Sequence, residues 1–402
     1  MFDIEKGIEW DEGVVGYKFQ SHEAYTARYE NTDEIRIPLQ EDLCTLPCDS
    51  LILIEGQLVK TDATTNKTVP ATETKFVNNG VAFLFSEIRY EVSGVTVDTN
   101  TKPGITTTMK NLASLNQSES LKLTMSGWDL NEEATKPIDG YFQACIPLNR
   151  LLGFAEDYKN IMLNIPQELI LIRSNSDVNA LICATNEKAR VVIDKIVWLV
   201  PHIVPGLKEE VKLTKTIEKD KEIAVPYRSW ELHSLPLFPN TTKCSWPVKI
   251  STKFETPRYI IFGLQSNREG QLDKNMSKFD RGDITNMRVF LNNERYPYEN
   301  LNISYKKHHF GILYEMFTNF RSRYYYTDKK ETHITPTQFF DSYPLIIIDC
   351  SMQKTGLQTQ SIALRIEFDT DTGISDGTTA YALVISDRVF TYTPLTKSVK
   401  QV

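Results

Sequence analysis

The same order of elements occurs twice along this chain. Residues 83–92 read as a strand, Ser93-Gly94 as a turn, Val95 and Val97 as a second strand, and 105–115 as a helical patch. In the second half, 284–291 reads as a strand and Asn292-Asn293 as a turn. A short strand through Tyr296 and a helix over 310–326 follow. A further pair sets Pro147, a helical turn holding Leu151-Leu152 and a strand over 169–172 against Pro336, a turn holding Phe339-Phe340 and a strand over 345–348. The order is kept while the spacing varies, which is what fixed elements joined by variable loops produce. The pattern implies two tandem copies of one β-rich fold.

Length agrees with that reading, because 402 residues exceed one ordinary core and suit two domains of about 200 residues each. Hydrophobic residues make up 41% and charged residues 24%, the balance of a globular rather than a disordered chain. The longest apolar runs, at 196–200 and 345–348, are far too short for a membrane span. The opening residues lack a basic stretch followed by an apolar one, so no secretory signal is expected and the chain reads as intracellular. The formal net charge of −7 argues against a surface that holds nucleic acid by general charge attraction. The six cysteines (44, 48, 145, 183, 244 and 350) offer no zinc-ligand spacing and are expected as reduced, mostly buried thiols.

Short runs rich in Val, Ile, Thr and aromatics alternate at 35–37, 51–58, 191–198, 249–254, 361–368 and 381–385, which is the pattern of half-buried strands. Asn79-Gly80, Ser93-Gly94, Pro103-Gly104, Asp139-Gly140 and Asp376-Gly377 supply turns between them. Without a strand–helix–strand rhythm, such a chain makes sandwiches or barrels rather than a parallel sheet. In the helix over 310–326, Leu313, Met316, Phe317, Phe320 and Tyr324 share one face, with Glu315, Asn319 and Arg323 elsewhere. Pro201, Pro205 and Gly206 interrupt the pattern after 198–201, and domains of 1–205 and 206–402 are expected.

No Walker loop, dinucleotide-binding glycine turn, zinc-protease pair or nucleophile elbow is present. His22, His202, His233 and His333 stand alone in sequence. His308 and His309 are adjacent, and on a strand they would face opposite ways. The stretch 369–373 resembles a calcium loop but has Gly373 at its fifth position and Ala380 at its twelfth, so a hairpin loop is the better reading. Arg281-Gly282-Asp283 spells a tripeptide that integrins read, and short words of this kind recur by chance. The basic, tyrosine-rich stretch 321–330 could stack bases, but it overlaps a helix face already committed to a core. No catalytic, cofactor-binding or metal-binding residue is expected, no cofactor is implied, and the chain is not expected to be an enzyme.

The string 81–91, Val-Ala-Phe-Leu-Phe-Ser-Glu-Ile-Arg-Tyr-Glu, leads through Gly94 to Pro103-Gly104-Ile105. With 151–159, 168–174, Tyr227-Arg228-Ser229-Trp230, Thr256-Pro257-Arg258-Tyr259, Tyr296-Pro297-Tyr298, 348–351 and 378–381, it resembles the double jelly-roll proteins. These are related to the major capsid proteins of Polinton/Maverick-type elements and allied DNA viruses, with copies in insect genomes. The resemblance implies an all-β fold of two tandem eight-stranded jelly rolls, with a few short helices in the connecting loops. It also implies a structural shell protein located in the virion: a homotrimer of pseudo-hexagonal outline, tiled into an icosahedral capsid beside a separate vertex (penton) protein. Five acidic residues and one lysine among the first twelve argue against genome packaging by that segment. Sequence-specific nucleic-acid binding is not expected. Whether the source is a virus, an integrated element or a co-opted host copy is open.

Two other classes remain at this stage. A tandem β-sandwich of this kind also serves as a carbohydrate-binding, lectin-like protein, which would need a concave face with exposed aromatics. A cupin-like enzyme would need a histidine and carboxylate cluster on one set of strands, and the scattered histidines weigh against it.

Overall fold

The computed structural model describes residues 13–40, 43–61, 67–131, 137–183, 187–249, 256–292, 294–353 and 362–401. Its principal strands, numbered in chain order, fall eight to each half. In the first half they are β1 (Val14–Glu23), β2 (Glu34–Leu39), β3 (Leu51–Thr61), β4 (Phe85–Val92), β5 (Val95–Thr101), β6 (Tyr141–Pro147), β7 (Gln167–Arg173) and β8 (Ala189–Pro205). In the second they are β9 (Ile223–Pro236), β10 (Lys243–Val248), β11 (Thr256–Ser266), β12 (Ile284–Leu291), β13 (Glu294–Tyr296), β14 (Ile346–Asp349), β15 (Leu364–Thr370) and β16 (Thr378–Tyr392). The helices are α1 (Gly80–Phe83), α2 (Pro103–Ser114), α3 (Gln117–Lys122), α4 (Gly153–Asp157), α5 (Leu207–Glu218), α6 (Gly311–Tyr324) and α7 (Pro336–Ser342).

The first half pairs its strands in the orders β1-β8-β3-β6 and β2-β7-β4-β5. The second half repeats both, as β9-β16-β11-β14 and β10-β15-β12-β13. The pairings are antiparallel throughout. Strand n of the first half thus corresponds to strand n + 8 of the second, and the fold is a double jelly roll. In β4, Phe85, Ile88, Tyr90 and Val92 are buried, and β12 buries Ile284, Met287, Val289 and Leu291. The turn after β4 has both Ser93 (φ 51°) and Gly94 (φ 77°) in the left-handed region, the geometry of a tight two-residue hairpin.

The topology separates the two repeat pairs read from the sequence. The first is equivalent: β4, β5 and α2 correspond to β12, β13 and α6. The second is not, because β7 lies between β2 and β4 whereas β14 lies at the edge of the other kind of sheet, beside β11. The counterpart of β7 is β15, and that of β14 is β6. A proline-led turn before an apolar strand was too general a signal to fix the register of the repeat.

Other differences have equally local causes. Residue 83 closes α1, and β4 begins at Phe85. Pro201 does not interrupt β8, which runs on to Pro205 while the Pro201 carbonyl accepts the Leu46 N–H at 3.0 Å. The run 381–385 is buried on both faces, not half-buried. In the same sheet, Phe262 of β11 faces Phe368 of β15 across the sandwich (ring centroids 5.2 Å apart), while Tyr259 faces Phe320 of α6 (5.2 Å). A strand covered on both sides reads as a continuous apolar run. Alternation over 249–254 lies almost wholly outside the described residues.

Helix boundaries follow their caps. Pro103 opens α2, where its missing N–H costs nothing. Thr335 caps α7 in a reciprocal box: its hydroxyl accepts the Gln338 N–H (3.2 Å) and the Gln338 side-chain carbonyl accepts the Thr335 N–H (3.0 Å). In α6, Leu313, Phe317, Phe320 and Tyr324 are buried as the helical spacing predicts, while Met316, expected on the same face, is only half-buried at its edge. Among the described residues no helix is long and apolar enough to cross a membrane.

The α6 register gives a direct test. Phe317 is fully buried, with its ring 5.2 Å from Phe339, so Phe317→Ala is expected to cost about 3–5 kcal/mol in urea unfolding. Arg323 is largely exposed and pairs with Asp349 at 2.6 Å, so Arg323→Ala is expected to cost at most about 1 kcal/mol. Equal losses would show that the buried face is misassigned.

Candidate functional site: the seam between the two halves

Where the halves meet, an apolar contact would have been the simplest join, yet the seam is built around charge. Lys110 lies in the middle of α2, every residue of which is buried. Its ammonium donates to Glu156 of α4 at 2.9 Å, and both side chains are almost completely enclosed. The second half closes around this pair. The Lys110 nitrogen lies 4.3 Å from the centroid of the Tyr324 ring, 4.9 Å from Trp230 and 5.3 Å from Tyr325. The Tyr324 hydroxyl donates to one Glu156 oxygen at 2.7 Å and the Tyr325 hydroxyl to the other at 2.5 Å.

Beside it, Arg228 of β9 reaches Asp157 of α4 through side-chain and backbone nitrogens, its Nε at 2.7 Å and its N–H at 2.8 Å. Its other terminal nitrogen donates to the Tyr324 carbonyl at 2.6 Å. The close approach depends on Gly153, because a Cβ there would lie 1.8 Å from the Arg228 carbonyl oxygen. The Tyr227 hydroxyl donates to the Val97 carbonyl of β5, and the Tyr392 hydroxyl accepts the Leu163 N–H at 3.0 Å. Arg321 of α6 joins the Ser114 carbonyl at the end of α2 (2.6 Å) to the Glu119 carboxylate (2.8 Å). His333 donates its Nδ1–H to the Leu115 carbonyl at 2.9 Å.

Burial sets the ionisation of these groups. It lowers Lys110 to about 8, with Glu156 opposing the fall. Burial alone would raise Glu156. The Lys110 and Arg150 charges, with the hydroxyl of Tyr325, outweigh it and hold the carboxylate below its ordinary value. His333 is lowered to about 4 by burial and stays neutral. The Tyr324 and Tyr325 phenols are pushed up, first by burial and then by Glu156.

Residues singled out by the sequence are placed as follows. His22 and His202 are not isolated: their Nε2 atoms lie 3.1 Å apart across β1 and β8, and burial with His202 lowers the pKa of His22. The sequence separation of 180 gave no sign of this. His308 sits in a turn rather than on a strand, stacked on Phe340 at 5.1 Å. Asp371, in the loop once compared with a calcium site, pairs with Lys306 at 2.7 Å. Arg281 lies 4.3 Å from the Phe340 ring centroid and Asp283 accepts the Thr372 hydroxyl at 3.0 Å, so both ends of the Arg-Gly-Asp tripeptide are engaged internally. Tyr324 is buried and Tyr326 is 91% exposed. None of the six cysteines is in a disulfide, and Cys44, Cys48, Cys183 and Cys350 are buried. Among the described residues no group of three or more His, Cys, Asp or Glu is placed to hold a metal ion.

Two jelly rolls of one topology, joined across a polar seam, define a tandem jelly-roll protein, and the comparisons agree with that fold. Residues 74–390 match the double jelly-roll-like domain, and the chain belongs to that family. Among solved structures, PBCV-1 VP54, whose crystal structure was fitted into a reconstruction of the virophage Sputnik, is 8% identical with a TM-score of 0.65 over 99% of this chain and 98% of its own. The mavirus major capsid protein is 11% identical with a TM-score of 0.56, over 96% and 90%. The Faustovirus major capsid protein is 8% identical with a TM-score of 0.58, over 96% and 91%. At these identities the likeness is one of fold. No curated protein matches by sequence.

Removing one member of the buried pair leaves the other uncompensated. Lys110→Met is therefore expected to destabilise the protein by about 3–5 kcal/mol in urea unfolding at pH 7. Lys110→Met with Glu156→Gln is expected to regain more than half of that loss. A double variant no better than the single would show that packing, not charge, governs the site.

The acid side tests His333. Its folded pKa lies below the unfolded 6.5, so between about 6.5 and 4 the unfolded chain binds more protons. Stability present above pH 6.5 is lost as pH falls to about 4, by on the order of 3 kcal/mol. In His333→Gln this slope is expected to shrink; an unchanged slope would assign it to other groups.

Proposed function

We propose that this chain is a major capsid-type shell protein, and that copies of it trimerise into pseudo-hexagonal capsomers that tile an icosahedral shell. The observation that carries the reading is the fixed pairing of two topologically identical jelly rolls in one chain. Three such chains around an axis bring six similar units into a ring, the outline from which a curved hexagonal lattice is built. Solved structures that cover nearly its whole length include PBCV-1 VP54 and the mavirus and Faustovirus major capsid proteins, which supports the same reading.

On this reading the domains are 1–205 and 206–402, with α5 beginning the second. The partners are further copies of the chain and a separate vertex protein, and the working location is the virion. The source is a virus, an integrated viral element or a host copy derived from one. The role is structural and calls for neither a catalytic residue nor a cofactor. The acidic first segment leaves genome contacts to another component.

Assembly is the test. Light scattering on a sizing column is expected to give about three times the 46.1 kDa chain mass, or a much larger particle visible by electron microscopy. A protein that stays monomeric at micromolar concentration across salt and pH would overturn the shell reading and favour a carbohydrate-binding tandem sandwich, which a glycan array would then detect.

A further inference from the structure

The seam is flanked by a cavity whose charges do not balance. Its volume is about 420 Å³, within the range of small-molecule sites. Among the described residues four cations line it, Arg150 and Lys159 from the first half and Arg228 and Arg321 from the second. Three carboxylates line it with them: Glu119, Glu156 and Asp157. Lys110, enclosed with Glu156, adds a fifth positive charge. Five cations against three carboxylates leave an excess of two positive charges, in a chain whose net charge is −7.

Internal pairing accounts for all but two of these groups. Arg228 takes Asp157, and Arg321 takes Glu119. Glu156 accepts from Lys110 at 2.9 Å and from the hydroxyls of Tyr324 and Tyr325. Arg150 and Lys159 are left over. Arg150 lies in the turn between β6 and α4, and its side chain is only 21% exposed. Its guanidinium nevertheless makes no hydrogen bond among the described residues, and it meets Glu156 only at 3.9 Å. Lys159, just past α4, is exposed at the cavity and has no ion pair among the described residues. Largely buried polar groups are ordinarily hydrogen-bonded, so five N–H donors held against a cavity without an acceptor mark a place for one.

We propose that this cavity binds a small oxyanion of the phosphate class, with Arg150 and Lys159 as its principal cations. Charge selects the class. A guanidinium fork takes two oxygens of a carboxylate or a phosphate equally well in shape. A carboxylate neutralises one of the two surplus charges, whereas a phosphate group, with about two charges at pH 7, neutralises both. An ion held here lies between cations of both halves and favours their joined arrangement. The site does not depend on the shell reading, and its failure would leave that reading untouched.

The test is a phosphorus NMR titration of inorganic phosphate with the full chain at constant ionic strength, in wild type, Arg150→Gln and Lys159→Gln. Wild type is expected to bind saturably. Arg150→Gln is expected to weaken binding at least about tenfold, the loss of a charge-assisted fork, and Lys159→Gln several-fold. Circular dichroism checks that both fold; Lys159 is exposed and outside the seam contacts, so its variant carries the test if Arg150→Gln does not fold. Phosphate is also expected to raise the urea midpoint of wild type more than that of Lys159→Gln, which separates binding from the general stabilising effect of the salt. Acetate at equal concentration is expected not to displace phosphate. Wild type without saturable binding below a dissociation constant of about 10 mM would overturn the site. Undiminished binding in both variants would overturn it too, by placing the ion elsewhere. Displacement by acetate would overturn the assignment to the phosphate class.

Discussion

The enclosed Lys110–Glu156 pair is the interaction on which the arrangement of the whole chain depends. Neither buried charge can be left without its partner, since an unpaired buried ion costs several kcal/mol. The first half supplies the ammonium and the carboxylate. The second half supplies the two phenol donors and the three aromatic faces that complete their surroundings. Apolar packing also crosses the seam, where Phe154 meets Tyr227 and Phe390. Here hydrogen bonds and ion pairs cross the seam, from the tyrosines to Glu156, from Arg228 to Asp157 and from Arg321 to Glu119. The specificity comes from geometry: each hydrogen bond crossing the seam fixes a distance between elements of different halves.

Much of the fold was legible because strands and turns are local. The boundaries of β12 are those of its apolar run, and the Ser93-Gly94 hairpin follows from residues that tolerate positive φ. Legibility stopped where long-range packing decides. The second repeat pair joined β7 to β14 because both follow a proline-led turn, whereas their places in the sheets depend on partners more than a hundred residues away in some cases, such as Arg36 and Glu168 on β2 and β7. The run 381–385 could not announce burial on both faces, since that is fixed by residues distant in sequence, such as Lys102, whose ammonium lies 5.9 Å from the Tyr381 ring centroid.

The seam itself was almost invisible in sequence. Lys110 is one cation in an otherwise unremarkable helical patch, where a lysine ordinarily marks a solvated face. Glu156 and Asp157 stand out only as part of the 151–159 string. Only the buried tyrosine at 324 was anticipated, from its place on the apolar row of α6. Polar contacts have no sequence signature when their members lie on different elements, as with Lys110–Glu156 and the His22–His202 contact. The seam had to be found in space.

The stiffness of that seam bears on how copies would assemble. A head-to-tail contact closes into a ring only when its rotation divides a full turn, and otherwise it extends into an open filament. In a chain of two equivalent units, half of the steps around such a ring lie inside the chain. Those internal steps are set once, on folding, by Lys110, Glu156 and the tyrosines, before any second copy is met. The contacts between copies then need only match an angle already imposed. A looser seam would allow each chain its own angle and make closed rings one outcome among many. On the proposed shell role, the ion pair buried between the two β-sandwiches would fix the angle that determines whether growth terminates.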